Sequence, residues 1–217
     1  MYLAAVLSDS KKMARARDGC WAKVAIWLMM LPVVSACIGS PERDPVAQQS
    51  SSASENPLSD ATIFIIRHAE KPLKGDNLNC QGLNRSLQLP AVLISKFGIP
   101  AYIFVPSLGL DTSTRHARMF ETVIPLAAKY KLIINSKYAE RDSAGLASEI
   151  KSKEGTVLVV WEHGIIPSIV RSLGVNNFHL TWSDNDYDSI WIVTFSKGVA
   201  SLTMDKEALA PSSVCPN

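Results

Sequence analysis

The chain contains no His-x-His, His-Glu-x-x-His or Cys-x-x-Cys spacing, so no local pattern offers a catalytic metal its usual ligands. A P-loop is absent as well, and no Gly-x-Ser-x-Gly elbow appears, which disfavours a serine esterase. No internal repeat is visible, which excludes a repeat architecture. His116 and His179 sit in unremarkable contexts. At 217 residues the chain suits one α/β domain and is short for two. Neither a metal nor a cofactor is expected.

Cysteine is scarce, with four in the chain, and the first sixty residues differ in character from the rest. Lys11, Lys12, Arg15, Arg17 and Lys23 lead into an apolar segment, Val24 to Ala36, too short and Pro-interrupted to span a bilayer. A basic lead, a short apolar core and small residues before a cleavage point form a secretory signal over 1–36. A start at Met13 makes a more conventional leader. The segment ends in Val34-Ser35-Ala36-Cys37, which resembles the bacterial lipobox, so Cys37 is expected to carry lipid and to hold an exported protein at a membrane surface. The alternative is an ordinary signal peptide, or an uncleaved anchor, that happens to contain a cysteine.

Residues 37–60 are rich in Ser, Pro, Ala and Gln and read as a flexible tether to a folded domain over 61–217. Residues 1–36 hold five Lys/Arg and two Asp, so without them the 22 basic and 20 acidic groups become 17 and 18, about −1 net. The basicity belongs to the leader, and no nucleic-acid partner is expected. Cys80 and Cys215 remain, either a disulfide in a permissive compartment or two unrelated thiols.

From Ala61 onward, strand-like and helix-like segments alternate. Strands are expected at Thr62 to Ile66, Ala101 to Val105, Leu132 to Ile134 and Thr156 to Trp161, then a hairpin of Ser189 to Phe195 and Val199 to Met204. Helices are expected at Gly82 to Phe97 (strained by Pro90), Arg115 to Tyr130, Ala144 to Lys153 and Ile165 to Leu173. Asp142 or Ser143 caps the third of these helices. Glu149 and Lys153 make an i,i+4 pair on it. The pattern implies a three-layer α/β/α sandwich with a mostly parallel central sheet and a C-terminal hairpin.

The first strand ends in Arg67-His68, which brings a cation and an imidazole to the sheet rim where ligands of α/β folds bind. An arginine fork fits phosphate oxygens, and a neutral imidazole is a competent nucleophile toward phosphorus. The bland reading is a strand-end dipeptide without chemistry. The strand Thr156 to Trp161 also delivers a histidine, His163, to its carboxyl end. Parallel neighbours about 4.8 Å apart let His68 and His163 reach one bound group. Arg118, near the start of the second helix, points toward the same rim, or is a solvated arginine pairing with Glu121 or Glu140.

Together these residues resemble the histidine phosphatase superfamily, whose fold is phosphoglycerate mutase-like. Its Arg-His-Gly motif corresponds to Arg67-His68-Ala69, its Arg-x-x-Gln/Glu-Thr helix motif to Arg118 through Thr122, and its late His-Gly to His163-Gly164, over roughly Thr62 to Thr203. The resemblance implies that His68 attacks phosphorus and that Arg67, Arg118 and His163 grip the phosphoryl oxygens. It implies Glu140 as the proton donor, with Glu70 and Glu162 as alternatives. Ala69 departs from the family's glycine, and the loop Lys71 to Asn79 does not match the mutases' phosphate loop; Lys71 or Lys74 either contacts the substrate in its place or is simply solvated. The function implied is a metal-independent phosphomonoesterase of the cell envelope. A phosphomutase and a non-catalytic binding module are the alternatives. Its substrate would be a phosphorylated small molecule, a glycolipid or a phosphoprotein. The expected specificity loops are Lys71 to Asn79, Leu108 to Thr114 and Thr181 to Asp188. The last holds Asp184, Asp186 and Asp188, either a cation site or an acidic solvated turn.

Overall fold

The computed structural model describes residues 61–109, 114–176 and 179–216. The leader, Cys37, the tether and residues 110–113 of the second specificity loop lie outside the described residues. Among the described residues no helix is long and apolar enough to cross a membrane.

The chain order is β1 (Thr62–Arg67), α1 (Cys80–Phe97), β2 (Tyr102–Phe104), α2 (Ala117–Tyr130), β3 (Ile134–Asn135), α3 (Ser143–Ile150), β4 (Thr156–Trp161), α4 (Ile166–Ser172), β5 (Ser189–Ser196) and β6 (Val199–Lys206). The sheet order is β3-β2-β4-β1-β5-β6. β1 through β4 pair in parallel, while β5 and β6 are antiparallel additions. The mixed α/β architecture is thus the one the alternation implies.

Strand periodicity builds the layers. On β1, Ile63 and Ile65 face one side with Val157, Val159 and Trp161 of β4, and pack against α3 and α4 through Leu146, Ile150, Ile166 and Ile169. Phe64 and Ile66 face the other side with Leu158 and Val160, and pack against α1 and α2 through Leu89, Leu93, Met119, Val123 and Leu126. Because β1 and β4 are central, both faces of each are apolar. Burial of such side chains contributes about 1.5–3 kcal/mol each, which is what holds the two strands rigidly under the rim.

Boundaries shift where local chemistry intervenes. Lys131 closes α2 in the left-handed region (φ 56°), and Leu132 N–H bonds to Ala127 O, so the third strand begins only at Ile134 and leaves Ile133 exposed. α1 runs unbroken through Pro90 and starts earlier than expected, because Asn79 caps it by accepting from Gly82 N–H at 2.8 Å. Asp142 is the cap of α3, and the Glu149–Lys153 pair stands at 3.3 Å. Gly82 lies so close to the segment after β1 that a Cβ there would sit 2.2 Å from Glu70 O. The hairpin turns on Lys197 and Gly198, both at positive φ.

Cys80 and Cys215 form a disulfide across 135 residues, with Cα atoms 4.5 Å apart. Asn84 reinforces it by donating to Ser212 O and Val214 O at 2.8 and 2.6 Å. The bridge closes nearly the whole domain into one loop. Cys80→Ser/Cys215→Ser is therefore expected to lower unfolding free energy by about 2–5 kcal/mol in urea titration, as is reductant with the wild type.

Candidate active site

The parallel register pairs Arg67 with Trp161, so the two chains leave β1 and β4 side by side as Arg67-His68 and Glu162-His163. His68 N–H donates to Trp161 O at 3.1 Å, which fixes the first residue past the strand. Thr122 on α2 accepts from Ala69 N–H at 2.9 Å and donates to Arg118 O at 2.7 Å. This hydroxyl fastens the β1 exit to the helix that carries Arg118. Arg118 is the second residue of α2, whose N-terminus has no side-chain cap. Its guanidinium reaches Gly75 O at 3.2 Å and Asp76 at 3.6 Å, both in the loop after β1.

His68 is 1% exposed. Its Nδ1 lies 2.7 Å from Ala69 O, a partner that can only accept. That bond assigns the proton to Nδ1 and leaves Nε2 with a free lone pair. Burial, followed among the lowering influences by the charges of Arg118, Arg67 and His163, pushes the His68 pKa down to about 3. The imidazole is therefore neutral at physiological pH.

Arg67 lies under the segment 183–187. Its Nη1 donates to Asp184 O at 2.5 Å, with Asp186 O and Ser183 O at 3.4 and 3.5 Å, and the Tyr187 ring stacks 3.9 Å from its Cζ. His163 Nε2 is 2.8 Å from Asp184 Oδ1. Its Nδ1 is 2.5 Å from Glu162 Oε1 without the alignment of a hydrogen bond. Among the described residues, the buried side-chain nitrogens or oxygens lacking a hydrogen-bond partner are Arg67 Nε, Arg118 Nε and His163 Nδ1. Arg67 and His163 open onto a pocket of about 330 Å³ also lined by Lys71, Tyr187, Asp184 and Asn185.

The remaining carboxylates divide by environment. Glu140 Oε2 stands 3.4 Å from His116 Nδ1, just before α2, and Trp161 Nε1–H bonds to the Glu140 carbonyl at 2.8 Å. Glu162 Oε2 accepts from Gly164 N–H and so orients the His163 turn. Glu70 turns into the core, where Arg85 grips it through Nε and Nη2 at 2.8–3.1 Å. Arg85 Nη1 also bonds to Glu207 at 2.5 Å. Arg118 pairs with neither Glu121 nor Glu140 in the bonds formed here, and Glu121 instead accepts from Leu78 N–H. Asp186 accepts from Asp188 N–H, Ser189 N–H and Ser189 Oγ, and so acts as a turn-former.

Sequence reasoning did not find Tyr187, the Thr122 tie or Arg85. Thr122 stood inside the helix motif and was legible as a positioning residue. Tyr187 and Arg85 lie far from the motifs in sequence and carry no spacing signal.

No family model matches the chain, and no curated relative matches it. Among solved structures it is similar in fold to the protein histidine phosphatase SixA complexed with tungstate. That likeness is 18% identical with a TM-score of 0.49, over 67% of this chain and 97% of that one. It is also similar to a mycobacterial glucosyl-3-phosphoglycerate phosphatase complexed with inorganic phosphate, at 13% identity and a TM-score of 0.44, over 66% of this chain and 95% of that one.

Proposed function

We propose that the chain is a metal-independent phosphomonoesterase that works through a phosphohistidine on His68. The observation that carries this reading is a pair of buried guanidinium nitrogens without a hydrogen-bond partner, Arg67 Nε and Arg118 Nε, both on motif residues beside a neutral His68. Buried donors without acceptors are rare and costly, and a tetrahedral oxyanion satisfies several at once.

In the first step His68 Nε2 forms a bond to phosphorus as the P–O bond to the leaving group breaks. Arg67, Arg118 and His163 hold the equatorial oxygens and oppose the charge that develops there. The leaving alkoxide takes a proton from a carboxylic acid, for which Glu140 is the candidate. In the second step water attacks the phosphohistidine, the carboxylate accepts its proton, and His68 regains its lone pair as inorganic phosphate departs. The full chain is expected to hydrolyse an aryl phosphate with EDTA present. No turnover at any pH between 4 and 9 would sink the reading.

We further place this activity at the cell envelope, on a lipid carried by Cys37 after cleavage of residues 1–36, with a phosphorylated small molecule, glycolipid or phosphoprotein as substrate. Supporting this are the lipobox-like Val34-Ser35-Ala36-Cys37 and the polar composition of 37–60. Cys37→Ser is expected to move the protein from the membrane fraction to the soluble fraction. Retention in the membrane would count against lipidation.

A further inference from the structure

We propose that Asp184 is an internal competitor for the phosphoryl site, a carboxylate that occupies His163 when substrate is absent and helps expel inorganic phosphate after turnover. The inference rests on the phosphatase reading and assigns Asp184 a role in its binding and release steps.

Three observations carry it. First, Asp184 Oδ1 is 2.8 Å from His163 Nε2, one of the groups proposed to grip phosphate. A donor aimed at a carboxylate cannot serve a phosphoryl oxygen equally well, so the two anions exclude each other at this atom. Second, Asp184 lines the pocket onto which Arg67 and His163 open, and Glu162, Glu70 and Glu140 do not. Third, the backbone around Asp184 is fastened while its side chain is free to leave. Trp182 Nε1–H bonds to Asp186 O, Asp186 locks the turn to Ser189, and Arg67 holds the carbonyl of Asp184 itself at 2.5 Å. The Asp184 side chain, by contrast, is 90% exposed. Substrate needs only a rotation of this side chain, with the loop and its Tyr187–Arg67 stack left in place.

The energetic consequence follows from population arithmetic. If the site is mostly filled by Asp184, every incoming phosphate binds with an affinity reduced by the fraction of time the site is free. The same competition acts on the product. As phosphate loosens, the carboxylate retakes His163, and a bound dianion beside a carboxylate is further destabilised by like-charge repulsion. The device weakens substrate and product binding alike and favours release, a step that limits turnover in many enzymes.

Binding of inorganic phosphate to the full chain, by calorimetry, with the KM for an aryl phosphate and product inhibition by phosphate, tests this with Asp184→Asn and Asp184→Ala. Thermal melts verify that both variants are folded. Since exposed charged contacts are weak, the Kd for phosphate, the KM and the inhibition constant should each fall by only about fivefold in both variants. Phosphate binding seen only in the variants would support the competitor role more strongly still. If the wild type binds phosphate and turns over substrate but the variants bind no tighter, the competitor role is wrong and the phosphatase reading stands. Should neither wild type nor variants bind phosphate or turn over substrate, the phosphatase reading fails and takes this inference with it.

Discussion

His68→Ala is expected to lower kcat for an aryl phosphate by at least about 10³-fold while leaving the protein folded. On the proposed mechanism no neighbour replaces the nucleophile: Arg67 and Arg118 carry no lone pair to offer phosphorus, and His163 is assigned to the phosphoryl oxygens. Steady-state assays beside circular dichroism separate the loss of chemistry from loss of structure. The wild type should also show an unusual acid limb. Because burial and then the surrounding cations hold the His68 pKa at about 3, protonation of the nucleophile does not silence the enzyme near pH 6.5, where an ordinary histidine would. The same depression has a stability consequence. An unfolded His68 takes up its proton as pH falls below about 6.5, whereas the folded one does so only near 3, so its contribution is full above 6.5 and lost as pH falls toward 3. His68→Ala should accordingly lose less stability than the wild type between pH 7 and pH 5.

Arg85→Met is expected to destabilise the domain by about 3–5 kcal/mol, because it leaves the buried Glu70 carboxyl group without its partner. A loss of that size lowers the Tm of a domain this large by roughly 10 °C. Arg85 sits between two carboxylates, both nearly fully buried, and one cation cannot neutralise two anions. Burial, the dominant influence, raises the Glu207 pKa to about 8 despite the attraction of Arg85. Glu207 therefore keeps its proton at neutral pH. Glu207→Gln, which mimics the protonated acid, should cost far less than Arg85→Met. The stability that Glu207 contributes through its retained proton is full below about 4.5 and declines as pH rises through 8, so Glu207→Gln should resist alkali better than the wild type. Denaturant titrations at pH 6 and pH 9 check both statements.

The strands were legible because β1 and β4 are runs of β-branched and aromatic residues, apolar on both faces. Their parallel pairing followed from the helices between them, and with it the meeting of His68 and His163 at one rim. What periodicity could not show was the exit geometry. Leu132 looks like strand, yet its amide closes α2, because a left-handed Lys131 is a three-dimensional preference of the helix end. Glu70 looked like a plausible acid beside the motif histidine. Only the fold reveals that α1 brings Arg85 beneath it and β6 leads directly into Glu207, contacts separated by 15 and 122 residues. Asp184 was one of three acidic residues in an unreadable loop, and its meaning comes from the 2.8 Å contact with His163.

Whether His68 carries the phosphoryl group is decided most directly by quenching the full chain in alkali during turnover of an aryl phosphate and locating the modification by peptide mass spectrometry. A base-stable, acid-labile phosphohistidine is expected on the peptide carrying His68, formed with EDTA present and absent from His68→Ala. A phosphoryl group on another residue, or full turnover by His68→Ala, would contradict the mechanism.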